Sequence, residues 1–393
     1  MKRRFFLDNI RWVTVLLVLV FHVFYYFHAN GGYFGTAGGF HEKQWQDVVM
    51  YLLNPWFMLL LFLVAGISAR YALQKQPPKM FLNNRTRKLL LPFTLGLLFI
   101  GIPQYYYLAL TIGQLSPGES YLNVFKGVTG VGTLLNRLLQ FVGHLWFIVD
   151  LWLFSVLLLP IRRWEKDRLY EKLEHFFQLD EAEPVAHRMM IDAILVVGGF
   201  LLVWATTQFN YVVFPYWALT DLWYTFHPLN CFTAFLMGYF VFSHDAVQVR
   251  VSRLRIPLLV AAVVFAGWFS HRFIDVPTGF GISETLHTPL GCAYVWLTIL
   301  AMLACFKAWA DATTRFATYM TKASYGIYIV HYLVLAVVGY YLKFHTSLAP
   351  WMMYVTLLAS VMLLSPLLYE IIKRIPFVRW CVLGMTKTKK VEK

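Results

Sequence analysis

The chain reads as an all-α polytopic membrane protein, a bundle of about ten transmembrane helices with both termini cytoplasmic, and three observations carry that reading. Composition is the first: over 393 residues, 59% are hydrophobic, 18% aromatic and only 14% charged. That is more apolar surface than one globular core buries. The second is window length. A hydrocarbon core of about 30 Å needs about 20 apolar residues per helix. Ten windows serve: 10–29, 48–69, 89–112, 143–161, 190–208, 221–243, 256–271, 287–306, 323–342 and 350–372. The third is charge placement. Of 34 Lys and Arg, 28 fall in the segments 1–9, 70–88, 162–189, 244–255, 307–322 and 373–393. The alternate segments hold only Lys43, Lys126, Arg137, Arg272 and Lys343, and the remaining basic residue is Arg11. Cytoplasmic loops carry such an excess.

The first window lacks a small-residue cleavage site at its end, which predicts an uncleaved helix. Its unusual feature is a charge and a titratable ring in an apolar run, "RWVTVLLVLVFHV". Arg11 and His22 are eleven residues apart, about three turns plus 20° and about 16 Å of rise, so they share a helix face at different depths. Asp8, three residues before Arg11, is placed to pair with it. Two readings of Arg11 stand: snorkelling to the inner head groups, or lining a wet interior. His22 lies beyond mid-helix, either as a structural histidine bonded within the bundle or as a chemical group.

In the third window, "FLNNRTRKLLLPF" sets Arg85, Arg87 and Lys88 at the cytoplasmic end. They serve either as a topology anchor or, with Arg11 on the same membrane side, as a phosphate site, since guanidinium binds phosphate bidentately. Segment 113–142, with "SPGES" and "GVTGVGT", reads as ordinary outside loop or as a cover over a groove. The fourth window opens "HLWFIVD". His144 and Trp146 are expected near the outer boundary, as an interfacial belt or as acceptor-side groups. Asp150 lies about 10 Å deeper, where a carboxylate calls for a histidine or arginine partner. The segment 162–189 predicts a surface helix with solvated charges. In the ninth window, "SYGIYIVH" puts Ser324, Tyr328 and His331 on one face, with His331 at about the depth of His22.

The net charge of +14 is accounted for by this inside excess beside anionic lipid head groups, so no nucleic-acid partner is needed. Cys231, Cys292, Cys305 and Cys381 are scattered without CxxC spacing, which suggests neither a disulfide framework nor a metal site. With no repeat and no large soluble insertion, residues 1–393 read as a single membrane domain.

The R-X10-H element of Arg11 and His22 after "FLDNI", with "FMLLLFLVAGISA", "FLNNRTRKLLLP", "HLWF" and "SYGIYIVH" in that order, resembles the acyltransferase 3 family. These are polytopic membrane acyltransferases that modify bacterial surface and periplasmic glycans. The "FLDNIR" opening is similar to that of members that succinylate periplasmic glucans. The resemblance implies transfer of an acyl group, acetyl or succinyl, from cytoplasmic acyl-CoA to a hydroxyl of an extracytoplasmic or lipid-linked carbohydrate, in the inner cell membrane.

The residue chemistry is compatible with this. A sugar hydroxyl is a weak nucleophile that gains from a base with pKa near 7, which histidine supplies. His22 is the expected base, held or assisted by Asp150 or Tyr328, with His331 close in depth. Arg11, Asp8, Arg85 and Lys88 are expected around the CoA phosphates, and His144, Trp146 and His227 at the outer mouth. Two rival classes remain: a proton-coupled transporter or flippase using Asp150, His22 and His331 as a relay, and a non-catalytic partner in a glycan-assembly complex.

Overall fold

Residues 3–28, 32–35, 40, 45–178, 183–213, 228–275 and 288–385 are described by the computed structural model. Their regular secondary structure is helical, with no strand among the described residues. Helix α1 (Phe5–Tyr26) and α2 (Asp47–Lys75) are the first two windows. Next comes a chain of helical pieces: α3 (Pro78–Arg85), a π-helical turn Thr86–Leu90, α4 (Leu91–Gly96), a second π turn Leu97–Gly101 and α5 (Ile102–Thr111). Helix α6 (Val131–Val142) leads through the 3₁₀ turn Gly143–Leu145 into α7 (Trp146–Glu165).

The short α8 (Arg168–Phe177) precedes α9 (Val185–Ala193), a third π turn Ile194–Gly198 and α10 (Gly199–Val213). The remainder is α11 (Pro228–Phe240), α12 (Asp245–Arg253), α13 (Arg255–Asp275), α14 (Pro289–Trp309), α15 (Arg315–His345), α16 (Pro350–Arg374) and α17 (Pro376–Leu383).

Local chemistry sets these limits. Proline opens α14, α16 and α17, where its missing N–H costs no helical bond. The Thr288 side chain caps α14 by accepting from the Gly291 amide at 3.0 Å. Pro55, Pro160 and Pro366 lie inside helices. Neighbouring groups re-satisfy the backbone that such prolines free in membrane helices.

Among the described residues, eight helices or helix chains are long and apolar enough to cross a membrane. They coincide with eight of the ten windows. The window at 256–271 falls in α13, whose qualifying stretch Arg255–His271 is shorter. That at 221–243 is described only from Pro228 onward, as the 13-residue α11. The expected outside loop 113–142 is partly helix: α6 extends the fourth window outward to make a 35-residue span, Val131–Glu165.

The chain divides into two compact units that interleave along the sequence. Unit 1 comprises Met1–Leu17, Tyr51–Phe81 and Leu153–Thr321, and unit 2 comprises Val18–Met50, Leu82–Trp152 and Lys322–Lys393.

In unit 1, α2 and α11 meet at two glycines. A Cβ on Gly66 would stand 1.9 Å from the Phe235 carbonyl oxygen, and one on Gly238 would stand 2.0 Å from that of Leu63. Such small-residue contacts let backbones approach in lipid, where packing replaces the hydrophobic effect as the force between helices. Helix α13 packs on α14 and exposes Val260, Val263 and Val264, an apolar face suited to lipid.

In unit 2, Ile102, Ala109 and Leu110 of α5 pack with Phe141 of α6 and Tyr340 of α15. Lys343 donates to the carbonyls of Phe34 at 2.8 Å and Thr111 at 2.9 Å. The segment 162–189 does form a surface helix, α8, but part of its polarity is buried: Glu183 just beyond it is 8% exposed and pairs with the buried Arg250 of α12.

Candidate active site

Unit 2 gathers three histidines from three distant parts of the chain. His22 comes from α1, His144 from the 3₁₀ turn before α7 and His331 from the middle of α15. Their ring centroids are 5.0 Å apart for His22 and His331, 4.9 Å for His144 and His331, and 6.4 Å for His22 and His144. His331 is 0% exposed and His144 4%, whereas His22 is half-buried.

The break between α6 and α7 creates the His144 position. Gly143 has φ of +44°, and a Cβ there would lie 2.8 Å from Gln104 Nε2. Conformation and space both call for glycine. The turn leaves the His144 carbonyl to accept a hydrogen bond from the Tyr328 hydroxyl. The His144 ring meets the Ile329 carbonyl through Nε2 at 3.1 Å and lies parallel to the Tyr332 ring at 5.0 Å.

His331 Nδ1 bonds the Tyr328 carbonyl at 2.6 Å, and His331 Nε2 meets His22 Nδ1 at 3.0 Å. Tyr332 also packs edge-on to His22 at 4.8 Å, and its hydroxyl donates to Tyr33 at 3.3 Å. One stretch of α15, from Tyr328 to Tyr332, therefore organises the whole group.

The other expected site residues fall as follows. Tyr328 and His331 sit on the shared face as the spacing predicts, but Tyr328 reaches His22 only through His331. Asp150 is 2% exposed, and its Oδ2 has no hydrogen-bond partner among the described residues. The histidine or arginine partner expected for it is not found among them. Six residues separate Asp150 from His144, about 240° of helical turn, so the two do not share a face. His331 is already committed to Tyr328 and His22. Trp146, expected at the outer boundary, is buried at the start of α7. His227 lies outside the described residues.

Arg11 and Asp8 belong to unit 1, where Arg11 Nη1 meets Asp8 Oδ1 at 3.1 Å, as the i,i+3 spacing predicts. Arg3 shares the same carboxylate at 2.9 Å, leaving this trio with net positive charge. Arg11 also donates to the Ser68 hydroxyl, and 38% of its side chain stays exposed.

Arg85 and Lys88 belong to unit 2, Arg85 half-buried and Lys88 exposed, at the first π turn. A π turn frees a backbone carbonyl. Here the Lys88 carbonyl accepts from Tyr325 at 2.6 Å, and Thr86 within the turn accepts from Trp152 Nε1 at 3.0 Å. Tyr332, Tyr33 and Ser68 were not singled out from the sequence. The adjacency "HY" at 331–332 is the only signal for the first, and nothing local marks the other two.

Clustered imidazoles suit proton transfer to or from a hydroxyl. No group of three or more His, Cys, Asp or Glu able to hold a metal ion occurs among the described residues. A family model described as an acyltransferase domain, acyltransferase 3, matches residues 4–370. The chain belongs to the acyltransferase 3 family.

Its relatives include a "Glucans biosynthesis protein C" of Shigella boydii serotype 4, 21% identical over 397 residues that cover 99% of this chain and 96% of the relative. Proteins of the same name from Escherichia coli K12 and from Escherichia coli O139:H28 match with the same identity and coverage. No solved structure matches the chain. The family model and the eight apolar spans together make this acyltransferase a multi-pass membrane protein.

Proposed function

We propose that this acyltransferase moves an acyl group, acetyl or succinyl, from cytoplasmic acyl-CoA to a hydroxyl of an extracytoplasmic or lipid-linked glucan-type acceptor, in the inner cell membrane. The observation that carries the reading is the convergence of His22, with intermediate exposure, on His144 and His331 in a family member. The name shared by the relatives supports a glucan acceptor.

His22 is the general base. It takes the hydroxyl proton as the oxygen attacks the thioester carbonyl, the C–S bond breaks, and the proton goes on to the departing thiolate. The positively charged trio of Arg3, Asp8 and Arg11, and separately Arg85 and Lys88, supply cationic groups for the donor's phosphates. Tyr328 and Asp150 act around the base, Tyr328 by holding both other histidines. His144 and Trp146 line the acceptor side.

Purified protein supplied with radiolabelled acetyl-CoA or succinyl-CoA and a glucan tests this. Label should pass to the glucan in wild type, and His22→Ala should lose about 10²–10⁴-fold in rate with thermal stability nearly unchanged. Equal activity in the variant would sink the assignment. Sidedness gives a second check: inside-out vesicles given external acyl-CoA should acylate glucan trapped in their lumen, and right-side-out vesicles should not.

A further inference from the structure

We propose that His331 is a positioning residue that fixes the tautomer of His22, acting as a neutral counterpart of the carboxylate that orients histidine in hydrolase triads. The inference rests on His22 being the base and adds how that base is set. Its evidence is a chain of three groups within unit 2: the Tyr328 carbonyl, the His331 ring and the His22 ring.

A carbonyl oxygen only accepts, so the His331 nitrogen 2.6 Å from it, Nδ1, carries the hydrogen. A neutral imidazole holds one N–H, so His331 Nε2 presents a lone pair. At 3.0 Å from that lone pair stands His22 Nδ1. Two lone pairs at this distance repel, and one must be protonated, so His22 Nδ1 carries its ring's hydrogen.

His22 Nε2 is then left as the unprotonated nitrogen, the one able to take a proton from a hydroxyl. When it does, the ring becomes a cation, and the Nδ1–H bond to His331 strengthens into a charge-assisted one. His331, 0% exposed and fixed at both nitrogens, has no rotational freedom to lose on doing so.

This arrangement differs from an ion pair in one useful respect. A carboxylate beside His22 would itself have to be buried as a charge in the membrane. A neutral imidazole orients the base at no cost in net charge.

The test uses full-length protein in nanodiscs. In ¹⁵N-histidine-labelled wild type, His22 should show a protonated Nδ1 and an unprotonated Nε2, the opposite of the tautomer favoured in water. In His331→Ala the signal should move toward the water-like mixture, and kcat should fall about 10–100-fold with KM for the acyl donor unchanged. His331→Gln, whose Oε1 can accept from His22 Nδ1, should restore the tautomer and bring kcat to within about threefold of wild type.

A wild-type His22 protonated at Nε2, or a folded His331→Ala protein with full kcat, overturns the proposal. So does a folded His331→Gln protein as slow as the alanine variant. Failure of the base reading looks different: His22→Ala would remain active while the wild-type spectrum still showed the Nδ1–H tautomer.

Discussion

Unit 1 and unit 2 each bury a polar cluster, and the two are built on opposite principles. In unit 1, Arg250 of α12 is 1% exposed and meets both oxygens of Glu183 at 2.8 and 2.9 Å, with Asp192 at 3.8 Å. It also donates to the carbonyls of Phe177 and Gln178, at 3.4 and 3.2 Å. Full opposite charges are matched, and the bonds tie the end of α8 and the approach to α9 onto α12. In unit 2, three imidazoles meet with no opposite charge among them, and lone pairs are left open. His144 Nδ1, for example, has no partner among the described residues. Matched charge anchors a chain segment. Unmatched lone pairs add little to folding, and in the proposed mechanism they serve the chemistry. Removal of a group should therefore cost folding in unit 1 and rate in unit 2.

The sharpest test on the folding side is Arg250→Ala. It takes the bidentate cation from Glu183, leaving His187 at 2.8 Å and Arg188 at 3.8 Å, and its effect should be read as a lowered Tm in detergent. Replacing both partners, as Arg250→Met with Glu183→Leu, should recover most of that loss. Turnover per folded molecule should stay at the wild-type level. A drop in turnover without a drop in Tm would erase the contrast.

Next comes Arg11, whose trio with Arg3 and Asp8 keeps positive charge and exposure. Arg11→Ala should weaken acyl-CoA binding by about 10–100-fold, the range for a hydrogen bond to a charged group, with little change in kcat. Arg11→Lys should rescue only partly, because the two-pronged fork is lost. Calorimetry in nanodiscs measures both, and unchanged affinity would return Arg11 to a lipid anchor.

A similar or smaller effect is expected where helices touch. Gly66→Val places carbon against the Phe235 carbonyl and should cost about 1–3 kcal/mol through overpacking. The Tm should fall while the pH profile of transfer keeps its shape.

The smallest effect belongs to His244, between α11 and α12 and outside the spanning segments. It stacks on Tyr170 at 3.9 Å, with Arg70 and Asp245 as its charged neighbours, and burial pushes its pKa down to about 4. The folded protein keeps the ring neutral, whereas the unfolded chain takes a proton near pH 6.5. Stability from this group is full above pH 6.5 and is lost as pH falls toward about 4. Tm measured across that window should decline less steeply in His244→Phe than in wild type.

The sequence by itself determined the membrane class, eight of the spans, the shared face of Tyr328 and His331, and the Asp8–Arg11 pair. Each of these rests on local periodicity: 20 apolar residues make a span, and i,i+3 or i,i+4 neighbours on one helix meet wherever that helix goes. Only the tertiary structure decided which groups meet across helices. His22 and His331 are 309 residues apart, and no spacing rule connects them. The inward position of His144 depends on a positive φ at Gly143, which "VGHLWF" permits without requiring. The lack of a cationic partner for Asp150 among the described residues, and the capture of the Lys88 carbonyl by Tyr325, follow from rotations between helices. Such rotations are set by packing, glycine contacts and π turns over many residues at once, and one helix's pattern holds no record of them.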